Sequence, residues 1–254
     1  MISFKIPVET RKSVKKYITL IDKFQSNPQE VIKNNPLWKD DLIPLHPIEK
    51  NYFKLRNVKY DMNKLLIDLK TIIENSPMRE KAKGNDDWAS ITLKSKDGND
   101  QSFLENTFLG TGVNNNYRYT PSINNCTYIK DILNEIPTDI YLVRVLKLKA
   151  NSVIKFHTDN IVFQRKKEII RCHIPIVTNE NVKFQIGYPK ASPAPGYNIW
   201  DADILHEKFL EPGYLWFTNV NTLHGVRNSS NIDRYHLVID LRPTDLMLKL
   251  IYNV

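Results

Sequence analysis

From residue 139 onward, apolar residues recur at alternate positions in short runs that are broken by Gly, Pro and Asn. Alternation puts one set of side chains on each face of a strand, so it predicts strands over 140–148, 153–157, 169–177, 182–186, 214–218 and 234–241. Short strands at this density predict a β-sandwich or a double-stranded barrel of the jelly-roll kind. The stretch 187–203, rich in Pro, Gly and Ala, interrupts the pattern and is expected to form a long loop, a common form for lids and binding elements. Ahead of residue 139 the period is helical. Met62, Leu65, Leu66, Leu69, Ile72 and Ile73 follow Asp61 at helical spacing, which predicts a helix over 61–75 with Asp61 as its N-cap. Further helices are expected over 13–24 and 128–136, a strand over 88–93, and a loop over the Asn-rich stretch 112–125. The expected fold is mostly β with N-terminal helices. A helical and mixed extension, 1–138, packs on a β-rich core, 139–254, and the two form one compact catalytic unit.

Composition narrows the function classes. A chain of 254 residues with 41% hydrophobic content can bury a large core. Its two cysteines, Cys126 and Cys172, are too few for a disulfide framework and too far apart for a C-x-x-C motif. Cys172 falls in the apolar set of its strand and reads as a core thiol. The first residues lack the apolar core of a signal peptide, and no run reaches the roughly 18 apolar residues of a membrane span, so a cytoplasmic protein with no membrane partner is expected. The net charge is +8, but the basic residues are scattered through Arg11, Lys12, Lys15, Lys16, Lys81, Lys83 and Arg165 to Lys167. They form no aromatic-interleaved stripe, so nucleic acid is not an expected partner.

Candidate chemistry begins at His157-Thr158-Asp159. On a strand, the period of two turns the imidazole and the carboxylate to one face, where they can share an ion. A chain with six histidines also acquires one H-x-D by chance, so the pair alone is weak. The second cluster, Asn219 to Asn228 with His224 inside it, supplies a further imidazole. Two histidines and one carboxylate leave half of an octahedron open, which suits iron(II) that must hold a bidentate 2-oxo acid and then O2. A 2-oxo acid with a second carboxylate needs an anchor at its far end, and Arg234 offers a planar fork, although a surface or ion-paired arginine is the plainer alternative. Alternation gives Arg234, His236 and Val238 one face of their strand, and it gives Arg171 and His173 a face opposite Cys172, Ile174 and Ile176.

Segments 171–179, 211–216, 219–224 and 234–240 resemble the aspartyl/asparaginyl β-hydroxylase family. The resemblance spans about 140–243 and is weaker around 88–93. It implies a double-stranded β-helix, cupin-like core, iron(II), 2-oxoglutarate as co-substrate, O2, and hydroxylation of an amino acid, free or within a peptide or carrier-tethered intermediate. Position by position, it assigns His157 and His224 as iron ligands with Asp159 as the carboxylate, Arg234 to 2-oxoglutarate, and Arg171 and His173 to assistance at the co-substrate. Some animal members lack the carboxylate, so their peptide substrates do not carry over. A serine that helps hold 2-oxoglutarate there falls near Leu146 here, and the common Asp before the distal histidine is Asn219. A radical halogenase is a chemical rival, but its halide takes the position that Asp159 fills. A non-catalytic cupin-like binding protein is the rival from another class.

Overall fold

A computed structural model of the chain describes residues 51–76, 78–80, 87–96, 98, 117–157, 159, 170–191, 201–220 and 222–242. The helix expected over 13–24 lies outside them. Among the described residues, strands dominate: β1 (Tyr52–Lys54), β2 (Arg79–Glu80), β3 (Trp88–Lys96), β4 (Tyr117–Tyr119), β5 (Ile140–Leu148), β6 (Ser152–His157), β7 (Ile170–Val177), β8 (Val182–Ala191), β9 (Asp201–Lys208), β10 (Trp216–Thr218), β11 (His224–Asn228) and β12 (Arg234–Leu241). Two α-helices, α1 (Met62–Asn75) and α2 (Thr127–Asn134), accompany them.

The strands form two antiparallel sheets. The 8-stranded sheet has the order β1-β10-β7-β12-β5-β3-β2, with β4 beside β3. The 4-stranded sheet has the order β6-β11-β8-β9. From β5 the chain passes back and forth between the sheets, which is the winding of a double-stranded β-helix. β1 and β3, from ahead of residue 139, hydrogen-bond into the large sheet beside β10 and β5.

Alternation is realised with little error in the central strands. Cys172, Ile174, Ile176, Leu237, Ile239, Leu241, Val143 and Val145 are buried on one face of the large sheet, in one cluster with Leu65, Leu69 and Ile72 of α1 and Ile129, Ile132 and Leu133 of α2. Asp61 caps α1 as expected, accepting from the amides of Asn63 and Lys64. α2 has no side-chain cap of its own; the buried carboxylate of Asp68 on α1 accepts from Ile129 N at 2.8 Å and so caps it from outside. A second cluster, including Tyr52, Leu148, Phe184, Ile186, Trp216 and Val226, fills the space between the sheets.

Two expectations are corrected, and one strand stands where no element was expected. The segment 187–203 is not one long loop: β8 continues through Ala191 and β9 begins at Asp201, so only 192–200 lies outside the described residues. The β8–β9 register shifts between Ile186 and Gly187 and between Pro189 and Ala191, beside Gly187 and Pro189 of this segment. The Asn-rich stretch contains β4 and a 3-10 turn, Pro121–Ile123. Finally, 224–228 is a strand, β11, paired on both sides. Among the described residues no helix is long and apolar enough to cross a membrane.

Candidate active site

The inner face of the large sheet carries the side chains that alternation turns away from the helices: Arg171 and His173 from β7, Arg234, His236 and Asp240 from β12, and Arg144 from β5. Register places Arg171 opposite Asp240, and Val238 between His173 and Arg144. All but Arg171 are at most 6% exposed. A buried charge is costly unless paired, so each one needs an account.

His157 and His224 are direct partners across β6 and β11, with ring centroids 4.3 Å apart. A bulge produces this pairing. Between the pairs Ile154↔Val226 and His157↔His224 the β6 side has one residue more, so both Ile154 and His157 turn inward despite their odd spacing. Phe156 is thereby turned over Gly187 and Gly225, where an added Cβ would meet its ring at 2.8 and 3.3 Å. Asp159 reaches the same place by a route that strand periodicity does not describe. β6 ends at His157, and Asp159 sits in the following turn, its amide donating to Val220 O at 3.2 Å.

The three candidate donor atoms lie within 4.8 Å of one another. Asp159 Oδ1 is 3.2 Å from His157 Nε2 and 4.0 Å from His224 Nε2. Adjacent donors on one metal ion at ordinary bond lengths stand about 3 Å apart, so a small contraction closes the set around an ion. The tautomers suit this. His157 Nδ1 is 2.7 Å from Lys155 O and His224 Nδ1 is 3.0 Å from Thr222 O, so each Nδ1 donates to a carbonyl and each Nε2 is the nitrogen left facing the donor set. Burial, followed by the neighbouring His157, lowers His224 to about 3, keeping it neutral. Burial alone would raise the Asp159 carboxyl, but the Arg171 guanidinium beside it outweighs burial and holds the group well below the usual range.

Arg171 was expected at the co-substrate. It lies across two carboxylates: Nη1 donates to Asp159 Oδ2, while Nε and Nη2 donate to Asp240 at 2.6 and 2.8 Å. Arg144 Nη2 stands 3.6 Å from Asp240 Oδ2, the oxygen that also accepts from Arg171 Nη2. Asp240 and Arg144 were not singled out from the sequence. Asp240 does share the alternation of Arg234 and His236, a signal that marks it as inward-facing.

Arg234 is 2% exposed, and among the described residues no carboxylate pairs with it. Its Nη2 donates to His236 Nδ1 at 2.7 Å, its Nε has no partner, and burial lowers it to about 9. His236 and His173, whose Nδ1 atoms are 3.4 Å apart, each bury an unpartnered Nε2. Burial first, and then Arg234, hold both well below the ordinary histidine value. Ring contacts connect this end of the face to the donor triad: His173 lies against Phe184, which stacks on His224 at 5.6 Å and 12°. A fully buried arginine with no acid beside it and an unpartnered Nε fits a ligand that brings its own carboxylate, as 2-oxoglutarate does.

The family model described as aspartyl/asparaginyl beta-hydroxylase matches residues 53–243. No curated protein matches the chain. Similar solved structures are remote. They include an oxidoreductase of the 2OG-Fe(II) oxygenase family from Burkholderia pseudomallei, at 12% identity over 70% of this chain and 77% of that one with a TM-score of 0.42. HygX from Streptomyces hygroscopicus, with nickel, 2-oxoglutarate and hygromycin B bound, matches at 9% identity over 77% of this chain and 84% of that one, TM-score 0.42. A cupin domain from Bordetella pertussis matches at 12% identity over 43% of this chain and 88% of that one, TM-score 0.26. The family match spans well over half of the sequence: the chain belongs to the aspartyl/asparaginyl β-hydroxylase family and is a 2-oxoglutarate-dependent oxygenase.

Proposed function

We propose that this protein is an iron(II)- and 2-oxoglutarate-dependent dioxygenase that hydroxylates an amino acid, free or within a peptide or carrier-tethered intermediate. The observation that carries this reading is the donor set of two imidazole Nε2 atoms and one ionised carboxylate oxygen, turned toward one another. Such a set holds iron(II) on one side and leaves three positions for the co-substrate and O2. When bound, the metal supplies the redox chemistry by which 2-oxoglutarate and O2 become succinate and CO2, with one oxygen atom entering a C–H bond of the substrate.

The residues of the chain bind, orient and exclude water. His157, Asp159 and His224 are the metal ligands. Arg234 takes the distal carboxylate of 2-oxoglutarate on its guanidinium and so sets the direction from which the 2-oxo acid reaches the metal. Arg171 and His173 flank the co-substrate from β7, and Arg171 also keeps Asp159 Oδ2 occupied so that Oδ1 is the atom offered to the metal. Because Asp159 fills the third protein position, chloride has no place on the metal, and the product gains oxygen and not chlorine.

The test is to incubate the protein with iron(II), 2-oxoglutarate and a panel of free amino acids, following succinate and a mass gain of one oxygen. Metal-dependent succinate formation, stimulated by a substrate that gains the oxygen, is expected. Absence of succinate under all conditions, with both ligands shown to bind, contradicts the reading and favours a cupin-like binding protein.

A further inference from the structure

A chain of ion pairs runs behind the donor triad. It passes from Arg144 to Asp240, from Asp240 to Arg171, and from Arg171 to Asp159. Its middle member, Asp240, is 1% exposed. The carboxylate takes the Nε–Nη2 edge of Arg171 in a two-pronged contact at 2.6 and 2.8 Å. A guanidinium is planar, so once that edge is fixed the remaining Nη1 can point in only one direction. It points at Asp159 Oδ2. The other oxygen of the same carboxylate, Oδ1, is the one that faces both imidazole Nε2 atoms.

We propose that Asp240 is a positioning residue for the metal site: it orients Arg171, and Arg171 presents Asp159 with one oxygen held and the other turned to the metal. The proposal rests on the reading of Asp159 as a metal ligand. Removing Asp240 would release Arg171 from that orientation. Arg144 stands 3.6 Å from the same Asp240 Oδ2 that accepts from Arg171 Nη2. Partners behind metal ligands commonly matter by about 10- to 100-fold in metal affinity.

Anaerobic titration of iron(II) into the full chain, followed by calorimetry, tests this without any turnover. Asp240→Asn keeps the shape and one acceptor oxygen, and is expected to weaken iron binding about tenfold; Asp240→Ala is expected to weaken it about a hundredfold. Arg171→Met should give a loss similar to that of Asp240→Ala, and the two losses should not add in the double variant, because one acts through the other. In an Asp159→Ala background, Asp240→Asn should change iron affinity less than about twofold. Circular dichroism of each variant establishes that it is folded, and Asp240→Asn serves should Asp240→Ala fail to fold. The proposal is overturned if folded Asp240→Asn binds iron(II) like the wild type, or if it loses the same factor with and without Asp159. If instead Asp159→Ala alone leaves iron affinity unchanged, Asp159 is not a ligand and the reading beneath the proposal fails.

Discussion

β7 and β12 each present two different surfaces. Toward the helices they offer Cys172, Ile174, Ile176, Leu237, Ile239 and Leu241, at most 3% exposed and enclosed by α1 and α2. Toward the small sheet the same backbones offer Arg171, His173, Arg234, His236 and Asp240. The first face contributes stability, about 1.5–3 kcal/mol for each fully buried aliphatic side chain. The second face costs stability, because desolvating a charge is repaid only where a partner meets it well. Arg171 has two carboxylate partners, and Arg234 has no carboxylate among the described residues, only His236. The difference teaches where to look for function in a two-faced sheet: an unanswered buried charge persists where a ligand answers it. Burial also raises the Cys172 thiol far above its ordinary value, which disfavours the reactive thiolate.

The largest effect should come from breaking the stabilising face. Leu237→Ala or Ile239→Ala should cost about 2–5 kcal/mol of stability, read from the denaturation midpoint at constant slope. The 2-oxoglutarate affinity of the folded fraction should be unchanged. A loss of affinity equal to the loss of stability would show that the two faces are not separable.

Next in size is ligand stabilisation. With iron(II) present and 2-oxoglutarate at about 100 times its Kd, thermal unfolding should be opposed by about 2.7 kcal/mol. Arg234→Met should abolish that gain while leaving the ligand-free protein as stable as the wild type or more stable, by up to about 1–4 kcal/mol, because an unpaired buried cation has gone. A strongly destabilised Arg234→Met protein would mean that the arginine serves the fold.

A smaller change is expected from Arg234→Lys, which keeps the charge but loses the fork. The KM for 2-oxoglutarate should rise about tenfold with little change in kcat. An unchanged KM would remove Arg234 from the co-substrate site. The smallest effect is a predicted absence: with Asp159 intact, product made in high chloride should contain added oxygen and no chlorine by mass spectrometry. A chlorinated product would show that Asp159 does not occupy the metal.

Much of this contrast is legible in sequence because alternation is a local property. The period of two in 171–177 and 234–241 assigns side chains to the two faces of β7 and β12, and the bounds of β12 agree with the expected ones. α1 is equally legible, since its apolar stripe and its Asp61 cap are both local. What escapes the sequence is set by partners distant along the chain. The bulge in β6 exists only against β11, yet it decides that His157 faces inward. Asp159 is held by Val220 O and Arg171, not by strand period. β9 and β11 carry Gly, acidic and polar residues that suppress strand signals, and cross-strand pairing with β8 makes them strands. Asp240 and Arg144 meet because β12 lies beside β5, and Asp68 caps a helix that begins far from it in the chain.

The central claim is that His157, Asp159 and His224 hold one metal ion on which 2-oxoglutarate binding depends. Anaerobic titration of iron(II), in the presence of 2-oxoglutarate, into the wild type and into folded His157→Ala and His224→Ala variants measures it most directly. The account predicts one iron(II) bound per wild-type chain, with each variant failing to retain iron at the same concentration. Wild-type stoichiometry and affinity in either folded variant would contradict it.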